Sequence, residues 1–260
     1  MNKKQILDNS YILYDIPELR NIDIQTIKNE IEFKEMLSQG APVPRLIAIQ
    51  GKIENELKPL YRHPVDAQPE LTEMSYTTNK ICNILSEKLN KKFNHVLIQL
   101  YRDGNDNIGE HSDKTLDIEK NTDIINYSIG ATRIMKLRKK KDVNNNEREI
   151  HKVELLNNSV FVLGWDDNRN WLHSINKNNN LNNNELFVNK ERISFTFRSI
   201  ATFIDKHNNI YGQGAPSIDN STDDTLDLLY AFSKENHDIN FDWDKYYSKG
   251  FKALNFKILS

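Results

Sequence analysis

NHVLIQLYRDGNDNIGEHSD, residues 94–113, marks the point where the chain turns from helical to extended patterning. Val96, Ile98 and Leu100 alternate with Leu97, Gln99 and Tyr101, the two-residue period of a strand. The run breaks at Asp103-Gly104-Asn105-Asp106, where Gly and Asn accept positive φ. It closes on His111-Ser112-Asp113. In extended backbone, residues two apart project to the same side, so an imidazole and a carboxylate at this spacing can grip one ion. His111 and Asp113 are read as two of the three ligands of a facial iron site.

Downstream, His173 in Asn170-Trp-Leu-His-Ser174 offers the third ligand, at the start of a short strand after the turn at Gly164. Two imidazoles and one carboxylate are the minimum for a 2-His-1-carboxylate facial triad, which leaves three positions on iron open. His63, His95, His151, His207 and His237 show no comparable arrangement, and His95 reads as a partly buried structural residue. Further on, ERISFTFRS places Arg192, Ser194 and Arg198 on one side of a strand. Two guanidiniums directed into a barrel interior demand an anion, and their forks match carboxylates bidentately. A dicarboxylate cosubstrate would satisfy both. Surface cations on an edge strand give the same pattern, and the triad upstream is what favours the buried socket.

Around these motifs, strands are expected over 96–101, 124–129, 133–137, 150–155, 159–163, 171–175 and 192–200, with no helix between them. Many short strands argue for an antiparallel sandwich or barrel, and a two-sheet jelly roll suits their number. Upstream, Ile24, Ile27, Ile31 and Phe33 predict a helix over 24–37, stopped by Gln39-Gly-Ala-Pro42. Residues 45–51 read as a strand and the proline-bearing 57–69 as loop. A second helix is expected over 71–89, where Met74, Ile81, Leu85 and Leu89 recur. Past Ile200, Ser221-Thr-Asp-Asp224 resembles a capping box opening a helix through Leu226, Leu229 and Phe232. Phe241, Trp243, Tyr246, Tyr247 and Phe251 are expected to pack back on the core. The expected division is 1–92, helices with a lid-like segment; 93–203, the jelly-roll core; and 204–260, a C-terminal extension.

The 260 residues suffice for one sizeable domain, 38% hydrophobic and 28% charged. Asn runs at 144–146, 178–180 and 182–184 read as polar loop inserts. No apolar run is long enough to span a membrane, and the N-terminus lacks the pattern of a secretory leader. The single cysteine, Cys82, cannot form an internal disulfide, so an intracellular setting, nuclear or cytoplasmic, is expected. A net charge of −2 requires any nucleic-acid binding to be local. Arg133, Lys136 and the run 138–141 cluster on one predicted hairpin, with Lys152 on the next strand. They form either a solvated hairpin tip or a phosphate-contacting rim.

HVLIQLYRDGNDNIGEHSD, IINYSIGATRIM, WLHSI and RISFTFR, in that order, resemble the AlkB-like family of iron(II)/2-oxoglutarate dioxygenases, nearest its eukaryotic DNA-repair branch. The resemblance covers roughly residues 44–200. It implies an α+β, mainly β, chain with a double-stranded β-helix (jelly-roll) core, flanking N-terminal helices and a C-terminal helical, aromatic tail. It further implies oxidative removal of N-alkyl groups from nucleic acid bases. On this basis His111, Asp113 and His173 bind Fe(II), with 2-oxoglutarate as cosubstrate and O2 as oxidant. The family's motif of asparagine, any residue, tyrosine falls on Gln99 and Tyr101. Its closing arginines fall on Arg192 and Arg198, with Ser194 where many members carry asparagine. Val43-Pro44-Arg45-Leu46 resembles the start of the nucleotide-recognition lid, making Arg45 a substrate-binding candidate, with Tyr61 and Tyr76 as the base clamp and Lys152 on the rim. Two residues beyond the metal Asp, where close relatives place a carboxylate against the base, stands Thr115, which hydrogen-bonds without negative charge. The implied partner of this monomer is alkylated single-stranded DNA, RNA or a flipped duplex base. A protein side chain or small molecule is the alternative substrate, because one fold hosts many.

Overall fold

The computed structural model describes residues 2–141, 148–177, 190–217 and 223–259. The Asn runs at 144–146, 178–180 and 182–184, and Ser221 and Thr222 of the expected capping box, lie outside the described residues. Eight strands form the larger sheet, in the order Asn2–Gln5, Tyr11–Tyr14, Ser159–Leu163, Ile124–Gly130, Arg192–Arg198, His95–Tyr101, Leu46–Gly51 and Leu71–Glu73. Neighbours are antiparallel except for the last two, which run parallel. A second sheet, wholly antiparallel, runs Ile108–His111, Trp171–Ile175, Arg133–Lys139 and Ile150–Leu155. Antiparallel-rich sheets with few helices fit a jelly-roll core.

Strand alternation sorts the side chains of the larger sheet into two environments. Val96, Ile98, Leu100, Ile125, Ile193, Phe195 and Phe197 enter an apolar layer shared with Ile81, Cys82 and Leu85 of the helix Tyr76–Leu89. Each fully buried aliphatic chain of this kind contributes roughly 1.5–3 kcal/mol. Their neighbours Leu97, Gln99, Tyr101, Asn126, Ser194, Thr196 and Arg198 line a cavity of about 500 Å³ on the opposite face. Met135, Phe161, Leu163 and Ile175 also line it and, with Leu137, belong to the apolar cluster drawn from both sheets.

Both expected N-terminal helices are shorter than their apolar spacing implied. Tyr76–Leu89 starts where Ser75 caps the Thr78 amide and ends at Asn90 in the left-handed region. Leu71–Glu73 is instead drawn into the sheet beside Ile49–Gly51. Ile24–Glu30 is capped by Asp23, and the backbone is extended from Ile31, with Lys34 bridging to Ile47. The expected loop 57–69 holds two short strands, Lys58–Pro59 and Ala67–Pro69, paired with Thr202–Ile204 and Lys257–Leu259. After Ile200 come the helices Thr225–His237 and Trp243–Tyr247, with Leu228, Phe232, Phe241, Tyr247 and Phe251 clustered around Leu116. Among the described residues no helix is long and apolar enough to cross a membrane.

Candidate metal and cosubstrate site

His111 ends the strand Ile108–His111 and sits opposite His173 on Trp171–Ile175. A bulge lies just before it: Ile108 faces Ile175 while His111, three residues on, faces His173, two residues back. The extra residue reverses the alternation, so that Ile108 and His111 both reach the cavity. The two imidazole centroids lie 4.2 Å apart. Asp113 places Oδ1 3.8 Å from His111 Nε2 and 3.7 Å from His173 Nε2. One ligand atom from each residue falls within 4.8 Å of the others, a spacing that can hold a metal ion.

Hydrogen bonds hold two of the three side chains, His111 and Asp113, in orientations that can donate. His111 Nδ1 lies 2.8 Å from the Gly109 carbonyl, which places the proton there and leaves the Nε2 lone pair facing Asp113. Burial, reinforced by His173, pushes the His111 pKa down to about 3, and burial lowers that of His173. Both rings are therefore neutral near pH 7. Burial opposes the charge on Asp113, but the Arg198 guanidinium beside it holds the carboxyl well below the usual range. Arg198 Nε and Nη2 donate to Asp113 Oδ2 at 2.9 and 2.7 Å, turning Oδ1 toward the imidazoles. The Tyr61 ring covers the guanidinium at 4.3 Å.

Asn168, which carried no signal in the sequence, grips the backbone of Asp113. The Asp113 amide donates to Asn168 Oδ1 and Asn168 Nδ2 donates to the Asp113 carbonyl, each at 2.9 Å. Asn168 rides on the short helix Trp165–Asn170, which opens at Gly164, where a Cβ would lie 2.6 Å from the Asn9 carbonyl oxygen.

Arg192 sits opposite Tyr101, and Ser194 opposite Gln99. Arg192 is wholly buried, with Nη2 donating to Ser128 Oγ at 2.8 Å and Asn126 Oδ1 at 3.3 Å. Its Nε and Nη1 have no acceptor, and burial pushes its pKa down to about 10. A buried cation with idle donors is costly until an anion completes it, and a carboxylate fits that need. Arg198, expected in the same clamp, spends two donors on Asp113 instead. Ser194 Oγ accepts from Asn126 Nδ2 at 2.8 Å. Gln99 Oε1 accepts from Arg45 Nε at 2.7 Å, so the expected cosubstrate contact and the expected substrate contact bind each other.

Arg45 and Tyr61 line the cavity; Tyr76, Thr115 and Lys152 are not brought to it. Tyr76 is 80% exposed in the first turn of the helix on the far face of the sheet. Thr115 is buried, its amide and Oγ1 both donating to Glu235 Oε1. Lys152 is exposed on Ile150–Leu155, opposite Lys136. The expected basic rim is largely neutralised: Lys136 and Arg138 meet Glu110, and Lys139 meets Glu149. Arg133 and Lys140 are buried and donate to backbone carbonyls. His95, expected to be partly buried, is fully so, 5.6 Å from the Tyr61 ring.

The sequence model of the 2OG-Fe(II) oxygenase superfamily matches residues 13–198. DNA oxidative demethylase ALKBH2 of Mus musculus is 27% identical over 111 residues, 42% of this chain and 45% of that protein, so the chain spans under half the length of this relative. Alpha-ketoglutarate-dependent dioxygenase alkB homolog 3 of Mus musculus is 24% identical over 71% of this chain and 83% of its own length. The solved structure of OsALKBH1 superposes with a TM-score of 0.51 at 13% identity, over 76% of this chain and 100% of that one, a likeness of fold. The chain belongs to the 2OG-Fe(II) oxygenase superfamily and is similar to its AlkB-like members.

Proposed function

We propose that the protein oxidatively demethylates N-alkylated bases in DNA or RNA, using iron(II) held by His111, Asp113 and His173. The observation that carries this reading is the convergence of two neutral imidazoles and one ionised carboxylate on a cavity large enough for a base, in a chain similar to a DNA oxidative demethylase. When bound, iron and 2-oxoglutarate supply oxygen activation, which no side chain here provides. The far carboxylate of 2-oxoglutarate would complete Arg192, beside Tyr101 and Ser194.

The chain's own residues orient and exclude. The Gly109 carbonyl fixes the His111 tautomer, Arg198 keeps Asp113 charged and turned, and Asn168 sets its backbone. Met135, Phe161, Leu163 and Ile175 give the cavity an apolar wall that keeps water from the target methyl group. Arg45 and Tyr61 are the substrate contacts in this proposal, and Tyr76, Thr115 and Lys152 drop out. Every residue invoked comes from one chain, so a monomer suffices. A duplex substrate must extrude its nucleotide at a cost of a few kcal/mol, which single strands avoid. A second reading, oxidation of a protein side chain or small molecule, is favoured by Glu110 neutralising Lys136 and Arg138 beside the triad.

Incubation with iron(II), 2-oxoglutarate and N-methylated single-stranded DNA, N-methylated RNA or buffer alone separates the two. Formaldehyde released only with a methylated oligonucleotide supports demethylation. Succinate without formaldehyde turns the assignment to the second reading, and no succinate in any arm overturns both.

A further inference from the structure

The superfamily match ends at residue 198, yet the chain beyond it reaches the metal ligands. Residues 112–115 lie outside the sheet ladders, and their four successive amides all donate to side chains. Ser112 donates to Asn236, Asp113 to Asn168, Lys114 to the Tyr61 hydroxyl and Thr115 to Glu235. Two of these four acceptors stand on the last turn of the helix Thr225–His237. Asn236 Oδ1 alone accepts from the Ser112 amide at 3.0 Å, Ser112 Oγ at 3.2 Å and Lys114 Nζ at 2.7 Å. It therefore holds the residue between His111 and Asp113 together with the residue after Asp113.

We propose that Asn236 is a positioning residue for the metal site, through which the C-terminal helix sets the turn carrying two of the three ligands. The proposal rests on the metal assignment above. Backbone outside regular structure leaves its amides to water unless side chains claim them, so without Asn236 the Ser112 amide has no fixed direction. The helix is firm enough to give one. Glu235 is buried and accepts from the Tyr247 hydroxyl at 2.7 Å. The buried Arg62 ties the extension to the core through Asp117 and the carbonyls of Gly214 and Phe251.

Changing the outer partners of metal ligands typically alters metal affinity by about 10- to 100-fold. The test uses the full chain and Co(II) as the probe metal, read by calorimetry and by the visible spectrum of the bound ion. Asn236→Leu keeps the side-chain volume and removes the acceptor; it is expected to weaken Co(II) binding about tenfold or more and to alter the spectrum. Asn236→Asp keeps the accepting oxygen and is expected to restore wild-type affinity and spectrum. Wild-type behaviour of Asn236→Leu, or equal losses in both variants, overturns the proposal. If Asn236→Leu fails to fold by circular dichroism, Asn236→Ala is read by the same criteria. Absence of Co(II) binding in the unaltered protein would instead sink the metal assignment itself.

Discussion

Replacing Arg62 with Met probes how the C-terminal extension is fastened. Arg62 and Asp117 are both 0% exposed, and the guanidinium donates to both carboxylate oxygens, at 3.1 and 2.7 Å. It also donates to the Phe251 and Gly214 carbonyls, each at 2.8 Å. Removing one partner of a buried ion pair costs about 3–5 kcal/mol, because the other charge is stranded. Each abandoned carbonyl adds about 1–3 kcal/mol unless water reaches it. Against a total stability of about 5–15 kcal/mol, the cheaper response is local: residues beyond Ile200 lift away and hydrate the exposed groups. Arg62→Met is therefore expected to lower the urea midpoint and to open the extension to proteolysis under native conditions. The double variant Arg62→Met/Asp117→Leu buries no charge and should recover the ion-pair part of the loss, while the two carbonyls and the Arg62 amide, which donates to Asp117 Oδ2, stay without their partners. A cost below about 1 kcal/mol for the single variant, the value of one ordinary hydrogen bond, would refute the reasoning. So would a double variant that loses the sum of the two singles.

His111→Ala and Asp113→Ala should each abolish iron-dependent succinate production, and turnover retained in either would remove that residue from the metal. Arg192→Met should raise the KM for 2-oxoglutarate about tenfold or more, the worth of a charged hydrogen bond; an unchanged KM places the cosubstrate elsewhere. Burial presses the Lys140 ammonium from 10.5 down to about 7. Above pH 7 the folded protein has released a proton that the unfolded chain keeps until near pH 10.5, so stability should climb with pH across that window. Lys140→Met should flatten the climb in denaturation curves, and an unaltered slope would contradict it.

What the sequence disclosed follows from how local each signal is. The strands Ile150–Leu155, Ser159–Leu163 and Trp171–Ile175 stand where alternation put them, because strand period and burial are written residue by residue. The helix expected over 71–89 lost its start to a parallel pairing with Ile49–Gly51, a tertiary partner that no window can contain. The convergence of His111, Asp113 and His173 was legible through motif order, whereas the bulge that aims His111 was not, since Gly109 and Glu110 resemble any turn. Gln99 lines the cavity but is bound to Arg45, and Thr115 is buried away from it against Glu235, partners chosen by contacts across 54 and 120 residues. Asn168 and Asn236 had no detectable pattern, as an amide that binds backbone needs only to be in the right place.

The bulge before His111 has a consequence for biogenesis. Strand side chains alternate, so sliding Ile108–His111 by one residue against Trp171–Ile175 would turn one imidazole away from the other. A metal held by this triad would then depend on correct strand pairing, because a second sheet closed out of register would lack one of the three donors.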